Sequence, residues 1–370
     1  MGFAFLRTAA FRNLADAETD LRGKDIFLVG ENGQGKSNFL EALYFCSYAS
    51  SFRGSRDRDL VRSGERDCSA SVSLADALHE NVSVIFKDGK KTIALDGKRV
   101  EDRKELLAVA PSIVFCHEDM EFVAGTPERR RWFFDQTRSL WDPLYLEDLR
   151  RYRYVLKSRN ALFRRDGPVR PRLDTETIAT LDALDPQLAA YGLELQAKRR
   201  KTAAEFSLVF EPLYREIAGI AGIAVKYLPS WKEEELESVV TRLGERREAD
   251  LAMGVSLSGP HRDRYLFTKD GEEFSEKAST GQRRLLALLL RVAQAGFFLE
   301  KTGKKPVLLL DDVLLELDNE KRRKFLSLMP DYEQAFYTFL PGEHYEKYRK
   351  SGTIVYTMES GLVQRESFHS

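Results

Sequence analysis

Residues 26–29 (IFLV) form an unbroken apolar run, followed by a glycine-rich stretch and then by residues 38–43 (NFLEAL), whose apolar positions fall at helical spacing. That order predicts a strand, a tight loop and a helix. Upstream, residues 3–29 read as one strand, a turn around Asn13 and a second strand entering the loop. Downstream, alternation at residues 68–73, 81–87 and 92–95, with hairpin turns at Asp88-Gly89 and Asp96-Gly97, predicts an antiparallel sheet. From about residue 127 to residue 248 the period becomes helical, with long charged stretches at 144–163, 175–214 and 231–248. Pro168, Pro171, Pro186, Pro212 and Pro229 punctuate it too often for an unbroken coiled coil. Strand patterns return after Met253, at 307–310, 335–339 and 353–357. The pattern predicts an α/β head split in sequence, residues 1–124 plus 250–370, carrying an antiparallel β lobe and an inserted helical arm, residues 125–249. A chain of 370 residues suits two domains at about 150 residues each.

Composition narrows the class. With 43% hydrophobic and 31% charged residues the chain reads as soluble and globular, and its longest apolar stretch, 285–299, is broken by Arg291 and Gln294. No membrane partner and no secretory leader are expected. Cys46, Cys68 and Cys116 form no CxxC pair, which fits a cytoplasmic location and argues against zinc. Basic and acidic residues balance at 58 each, so any nucleic-acid contact must use a local patch. The strongest bias lies at 128–172, with thirteen Arg/Lys against six Asp/Glu; a solvated helix face is the competing reading.

The glycine-rich stretch carries the chemistry. It reads Gly30, Glu31, Asn32, Gly33, Gln34, Gly35, Lys36, Ser37, a complete phosphate-binding loop in the strand-to-helix setting that such a loop needs. Its glycines let backbone N–H groups converge on a phosphate at a helix N-terminus, Lys36 reaches the β/γ oxygens, and Ser37 offers its hydroxyl to Mg²⁺. A second half lies far downstream, where the buried strand 307–310 ends in Asp311, assigned to the metal, and Asp312, assigned to the attacking water. Lys36 and Asp312 are the catalytic candidates. No base-specific motif chooses adenine over guanine.

Between these halves, Ser279-Thr280-Gly281-Gln282-Arg283-Arg284 precedes an apolar helix and resembles the signature motif of ABC-type ATPases. Glu316-Leu317-Asp318 is similar to their D-loop. The early segment Ala10-Phe11-Arg12-Asn13-Leu14, the block from Ser51-Phe52-Arg53 to Gly64, Arg129 to Asp135, Ser158 to Leu162, and Ser258-Gly259-Pro260-His261-Arg262-Asp263 extend the likeness over nearly the whole chain. Together they resemble the RecF family of the ABC/SMC-like class. The resemblance implies ATP with Mg²⁺, nucleotide contacts at Arg12 and Asn13, and an ATP-dependent homodimer in which Ser279, Gly281, Gln282 and Asp318 act in trans. It also implies a weak, DNA-stimulated ATPase that binds gapped duplexes and single-strand/double-strand junctions and helps load RecA with RecO and RecR. DNA contacts are expected at Arg53, Arg56, Arg129, Arg130, Arg153 and Arg159. The chain departs from the family pattern at His117 where proline is common, at Arg264 where an acid is usual, and at Phe339, where a polar switch residue is missing with His344 five positions on. A clamp that barely hydrolyses is therefore the alternative. A transporter ATPase subunit fits poorly with the helical insertion, and an SMC- or Rad50-like tether lacks its heptads and zinc hook.

Overall fold

The computed structural model describes residues 2–75, 80–102, 104–164 and 172–366, without the side chains of residues 108, 315 and 316. Arg165, Pro168 and Pro171 lie outside the described residues, as does the Glu316 side chain. By compactness the chain divides into Met1–Asp119 with Ala287–Ser370, and Met120–Leu286. The sequence reading groups residues 250–286 with the head. They fall in the second unit, where Arg264–Lys269 pairs antiparallel with Ile223–Leu228 along its full length.

Two six-stranded sheets build the first unit. In one, Asp25–Val29 lies between Gln334–Phe339 and Ile354–Glu359, and Val307–Leu310 lies between Gln334–Phe339 and Ser112–Phe115, all parallel. Strands covered on both faces read as continuous apolar runs, and Val307–Leu310 is buried throughout. Leu362–Arg365 closes one edge as an antiparallel hairpin with Ile354–Glu359. The other sheet is antiparallel and runs in the order Ala17–Asp20, Phe3–Ala9, Cys68–Leu74, Asn81–Lys87, Lys90–Leu95, Lys98–Val100. Its hairpin turns hold Asp88 and Asp96 in the left-handed region, at φ 50° and 49°. Three strands, rather than the expected two, precede the loop. The extra one, Ala17–Asp20, is polar and shows no alternation; only its pairing with Phe3–Ala9 makes it a strand.

The helix Lys36–Tyr48 is buried nearly all round. Its Phe39, Leu40 and Leu43 share one core with Leu28 and Leu309 from the parallel sheet and with Leu6, Val72 and Val84 from the antiparallel one. A helix apolar on every side is stable only when covered on every side.

The second unit is mainly helical, with Pro127–Ser139, Pro143–Ala161, Thr175–Ala218, Leu236–Glu245 and Arg247–Met253. Thr175–Ala218 runs for 44 residues through Pro186 and Pro212, which the sequence reading takes as breaks. Each proline removes one backbone donor, but burial of Leu181, Leu188, Leu195, Phe206 and Phe210 on the same helix outweighs that loss. The helix starts on an Asp174 cap, whose carboxylate accepts the Thr177 N–H, and stops at Gly219. Among the described residues no helix is long and apolar enough to cross a membrane.

Candidate functional site

At the carboxyl edge of the parallel sheet, Val29 gives way to the phosphate loop. Gly35 takes φ 110°, a left-handed backbone that L side chains adopt only with strain, and the helix begins at Lys36. The first N–H groups of that helix have no intrahelical acceptor and face the loop, forming the positive end on which an anion binds. Lys36 is buried, and its ammonium donates to the carbonyls of Gly30 and Glu31 at 2.7 and 3.2 Å. Its charge is thus held within the loop itself.

Leu310 is in register with Phe115 and Tyr337, and the two aspartates follow it. The Ser37 hydroxyl donates to Asp311 Oδ1 at 2.7 Å across 274 residues of sequence. Burial pushes the Asp311 carboxyl up to about 6; the Ser37 hydroxyl and Arg53 oppose the rise and the neighbouring Asp312 adds to it. A hydroxyl and a buried carboxylate in contact are hard oxygen donors of the type Mg²⁺ takes, and the ion would supply the counter-charge that Asp311 lacks. These residues therefore fit the ion. Asp312 has a left-handed backbone, φ 54°, and its N–H donates to Thr338 Oγ1 at 2.7 Å. The Thr338 hydroxyl in turn donates to Asp312 Oδ1 at 2.8 Å, which leaves Oδ2 of this carboxylate to engage a water.

The chain matches the RecF/RecN/SMC N terminal domain family over residues 4–362. The DNA replication and repair protein RecF of Treponema pallidum (strain Nichols) is 42% identical to it over 353 residues, which cover 95% of this chain and 97% of that protein. The chain belongs to the RecF family. The RecF of Bacillus subtilis (strain 168) is 32% identical over 97% of this chain and 98% of its own. A solved structure described as the recombination mediator protein RecF with ATP in the RecFOR pathway superposes with a TM-score of 0.86 at 28% identity, covering 99% and 97% of the two chains. An SMC head bound to the C-winged helix domain of ScpA shares the fold alone, at 15% identity and a TM-score of 0.56.

In this RecF-family chain several residues that the sequence reading did not single out brace the loop. Glu41, fully buried, accepts a forked pair of bonds from Arg12 at 3.0 and 3.1 Å. It also accepts the Ser51 hydroxyl and lies 3.7 Å from Arg53. Arg12, expected at the nucleotide, is committed to this ion pair. Asn13 donates to the Gly33 carbonyl at 3.0 Å and accepts from Asn38 at 2.7 Å, so it holds the loop from outside. Arg53, expected at DNA, donates to Asn38 Oδ1 at 2.9 Å and faces the phosphate-loop helix instead. A further brace comes from the hairpin at the far end of the chain: the Gly361 N–H donates to the Gln34 carbonyl at 3.0 Å, and the Ser360 N–H to the Gln34 side chain.

The remaining candidates divide sharply. Ser279 and Gln282 form a reciprocal capping box, with Ser279 N–H on Gln282 Oε1 at 2.8 Å and Gln282 N–H on Ser279 Oγ at 3.3 Å. Ser279 and Gly281 are exposed at the start of Thr280–Thr302. Asp318 caps the helix Asn319–Ser327, and Lys321 holds its carboxyl below the usual range. Arg56, Arg129 and Arg153 are exposed. Arg130 and Arg159 are not available to DNA. Arg130 donates to Tyr265 O, Val123 O, Glu273 and Ser275, and Arg159 is fully buried between Asp185 and Asp250 at 2.7 and 2.6 Å. A residue at helical spacing from the buried Tyr152 and Val155 belongs to the inner face, and that signal was legible. Of the departures, Phe339 is core, packed on Phe27 and Tyr348, while His117, Arg264 and His344 are exposed.

Proposed function

We propose that the protein is an ATP-dependent DNA-binding clamp of recombinational repair. It binds ATP with Mg²⁺, pairs with a second copy, holds gapped duplexes and single-strand/double-strand junctions, and acts with RecO and RecR in loading RecA. The observation that carries this reading is the Ser37–Asp311 contact, which joins the phosphate loop to the acidic strand. Lys36 balances the β/γ-phosphate charge once it leaves the loop carbonyls, and the helix N–H groups hold the β-phosphate. Mg²⁺, held by Ser37 and Asp311, would supply charge neutralisation on the phosphates. Asp312 Oδ2 takes the proton of the attacking water, with Thr338 fixing that carboxylate. Ser279, Gly281, Gln282 and Asp318 of the other copy complete the site, so hydrolysis separates the pair and releases DNA.

A second reading keeps ATP and DNA binding but assigns negligible hydrolysis. It is favoured by Phe339, whose ring is buried in an aromatic cluster, so that Thr338 alone supplies a polar group from that strand to Asp312. Single-turnover phosphate release, with and without DNA, separates the two readings.

The test of the main reading is fluorescence anisotropy on a gapped duplex together with light scattering, with no nucleotide, with ADP and with ATP. The expected result is dimer formation and DNA binding with ATP only, both lost in Lys36→Ala. ATP-driven pairing without DNA binding in any state would reassign the switch to a protein partner.

A further inference from the structure

The helix Pro143–Ala161 buries one face, through Tyr145, Leu149, Tyr152, Val155 and Arg159. On the opposite side, at a separation of two positions from Tyr152, stands Tyr154, 74% exposed. With 100° per residue, Arg151, Arg153, Lys157 and, just past the helix end, Arg164 flank that ring, all exposed, along about 20 Å of helix axis. The only acid of the helix on this face is Glu147.

A solvated charged face ordinarily balances itself, and the neighbouring helix Thr175–Ala218 does so. There Lys198 pairs with Asp148 and Glu194, Arg200 with Glu234, Lys201 with Glu205 and Arg215 with Glu211. Arg151, Arg153, Lys157 and Arg164 have no ion-pair partner among the described residues. Their charge is uncompensated, and a tyrosine ring with three-quarters of its surface in water adds nothing to the core. Phosphates answer the first condition. An aromatic face set among cations answers the second only for a base whose own faces are free, since a base in a duplex is covered by its neighbours above and below.

We infer that this face of Pro143–Ala161 seats single-stranded DNA, with phosphates on Arg151, Arg153 and Lys157 and one unpaired base stacked on Tyr154. The inference rests on the DNA-binding reading above and adds which strand is held, and where. It assigns the single-stranded part of a gap to the second unit.

The test uses the full-length protein with ATP, a thymidine 30-mer and a blunt duplex of equal length, followed by anisotropy over a range of salt. Tyr154→Ala should weaken single-strand binding about tenfold and leave duplex binding within about twofold, while Tyr154→Phe keeps the wild-type affinity. Arg153→Gln with Lys157→Gln should lower the single-strand salt slope by about one. Wild-type single-strand affinity in both the tyrosine and the double variant overturns the inference while the clamp reading stands. So does an equal loss on duplex and single strand in Tyr154→Ala. If the wild-type protein binds neither DNA in any nucleotide state, both fall together.

Discussion

At Asp312 the backbone lies at φ 54°, a region that asparagine tolerates as well as aspartate does. Asp312→Asn therefore keeps the turn and the Thr338 bond but loses the proton acceptor. Phosphate release should fall by about 10² to 10⁴, with ATP binding retained and the paired form accumulating, read by rapid quench and light scattering. Arg159 makes a contrasting prediction. Its guanidinium is 0% exposed between two carboxylates, so Arg159→Ala leaves uncompensated buried charge and should cost about 3 to 5 kcal/mol in urea unfolding. A loss of DNA affinity without a loss of stability would return it to the DNA surface. Arg153 and Arg159 look alike as letters. What separates them is the side of one helix, because Tyr152, Val155 and Arg159 share the inner face. The phosphate loop was legible for the opposite reason: its chemistry is made by adjacent residues. Glu41 was not, since an acid inside an apolar helix declares itself only when Arg12 and Ser51 arrive from elsewhere in the chain.

Elements act through where they end. The parallel strands deliver Val29, Leu310 and Phe339 to one edge, and the hairpin Ile354–Glu359 with Leu362–Arg365 brings Gly361 against the phosphate loop. At Gly361 φ is 81°, and a Cβ there would stand 1.8 Å from the Asn13 carbonyl oxygen. Gly361→Val should displace the hairpin, release Gln34 and weaken nucleotide binding, while Gly352→Ala, at a turn with nothing within reach of a Cβ, should leave it intact; isothermal titration with ATP compares them. The long helix Thr175–Ala218 shows how far packing overrides local preference. Its two prolines read as stops, but they lie in a helix whose buried residues extend from Leu181 to Ile217. The strand Ala17–Asp20 shows the same effect in reverse, a polar segment made regular by its neighbour.

At the scale of the whole molecule, acid stability carries a signature of one histidine. His261 Nε2 donates to the Ser256 carbonyl at 2.9 Å, so Nδ1 accepts the Tyr152 hydroxyl at 2.7 Å and the ring is neutral. Burial, with the charges of Arg262, Arg131 and Arg159 added, lowers its pKa to about 4. Between that value and about 6.5 the unfolded chain binds the extra proton and the folded one does not, so stability rises with pH. As pH falls through this window about 2 kcal/mol is lost, allowing for partial exposure, and His261→Gln should show a shallower decline in urea midpoint. Pairing of two copies is tested by Ser279→Arg. Nucleotide binding to the single copy should persist and the ATP-dependent dimer should vanish; a loss of affinity as deep as in Lys36→Ala would refute action in trans. The amino-acid sequence by itself determined the phosphate loop, the acidic strand, the order of sheet and arm, and membership of the RecF family. These rest on short runs whose chemistry is complete locally and on the order in which they occur. Only the tertiary structure decided which arginines are buried, that Arg12 and Arg53 turn toward Glu41 and Asn38, and that Gly361 braces Gln34. Each of those depends on partners many residues away, and a side chain's environment is set by what the fold brings to it rather than by its neighbours in the chain.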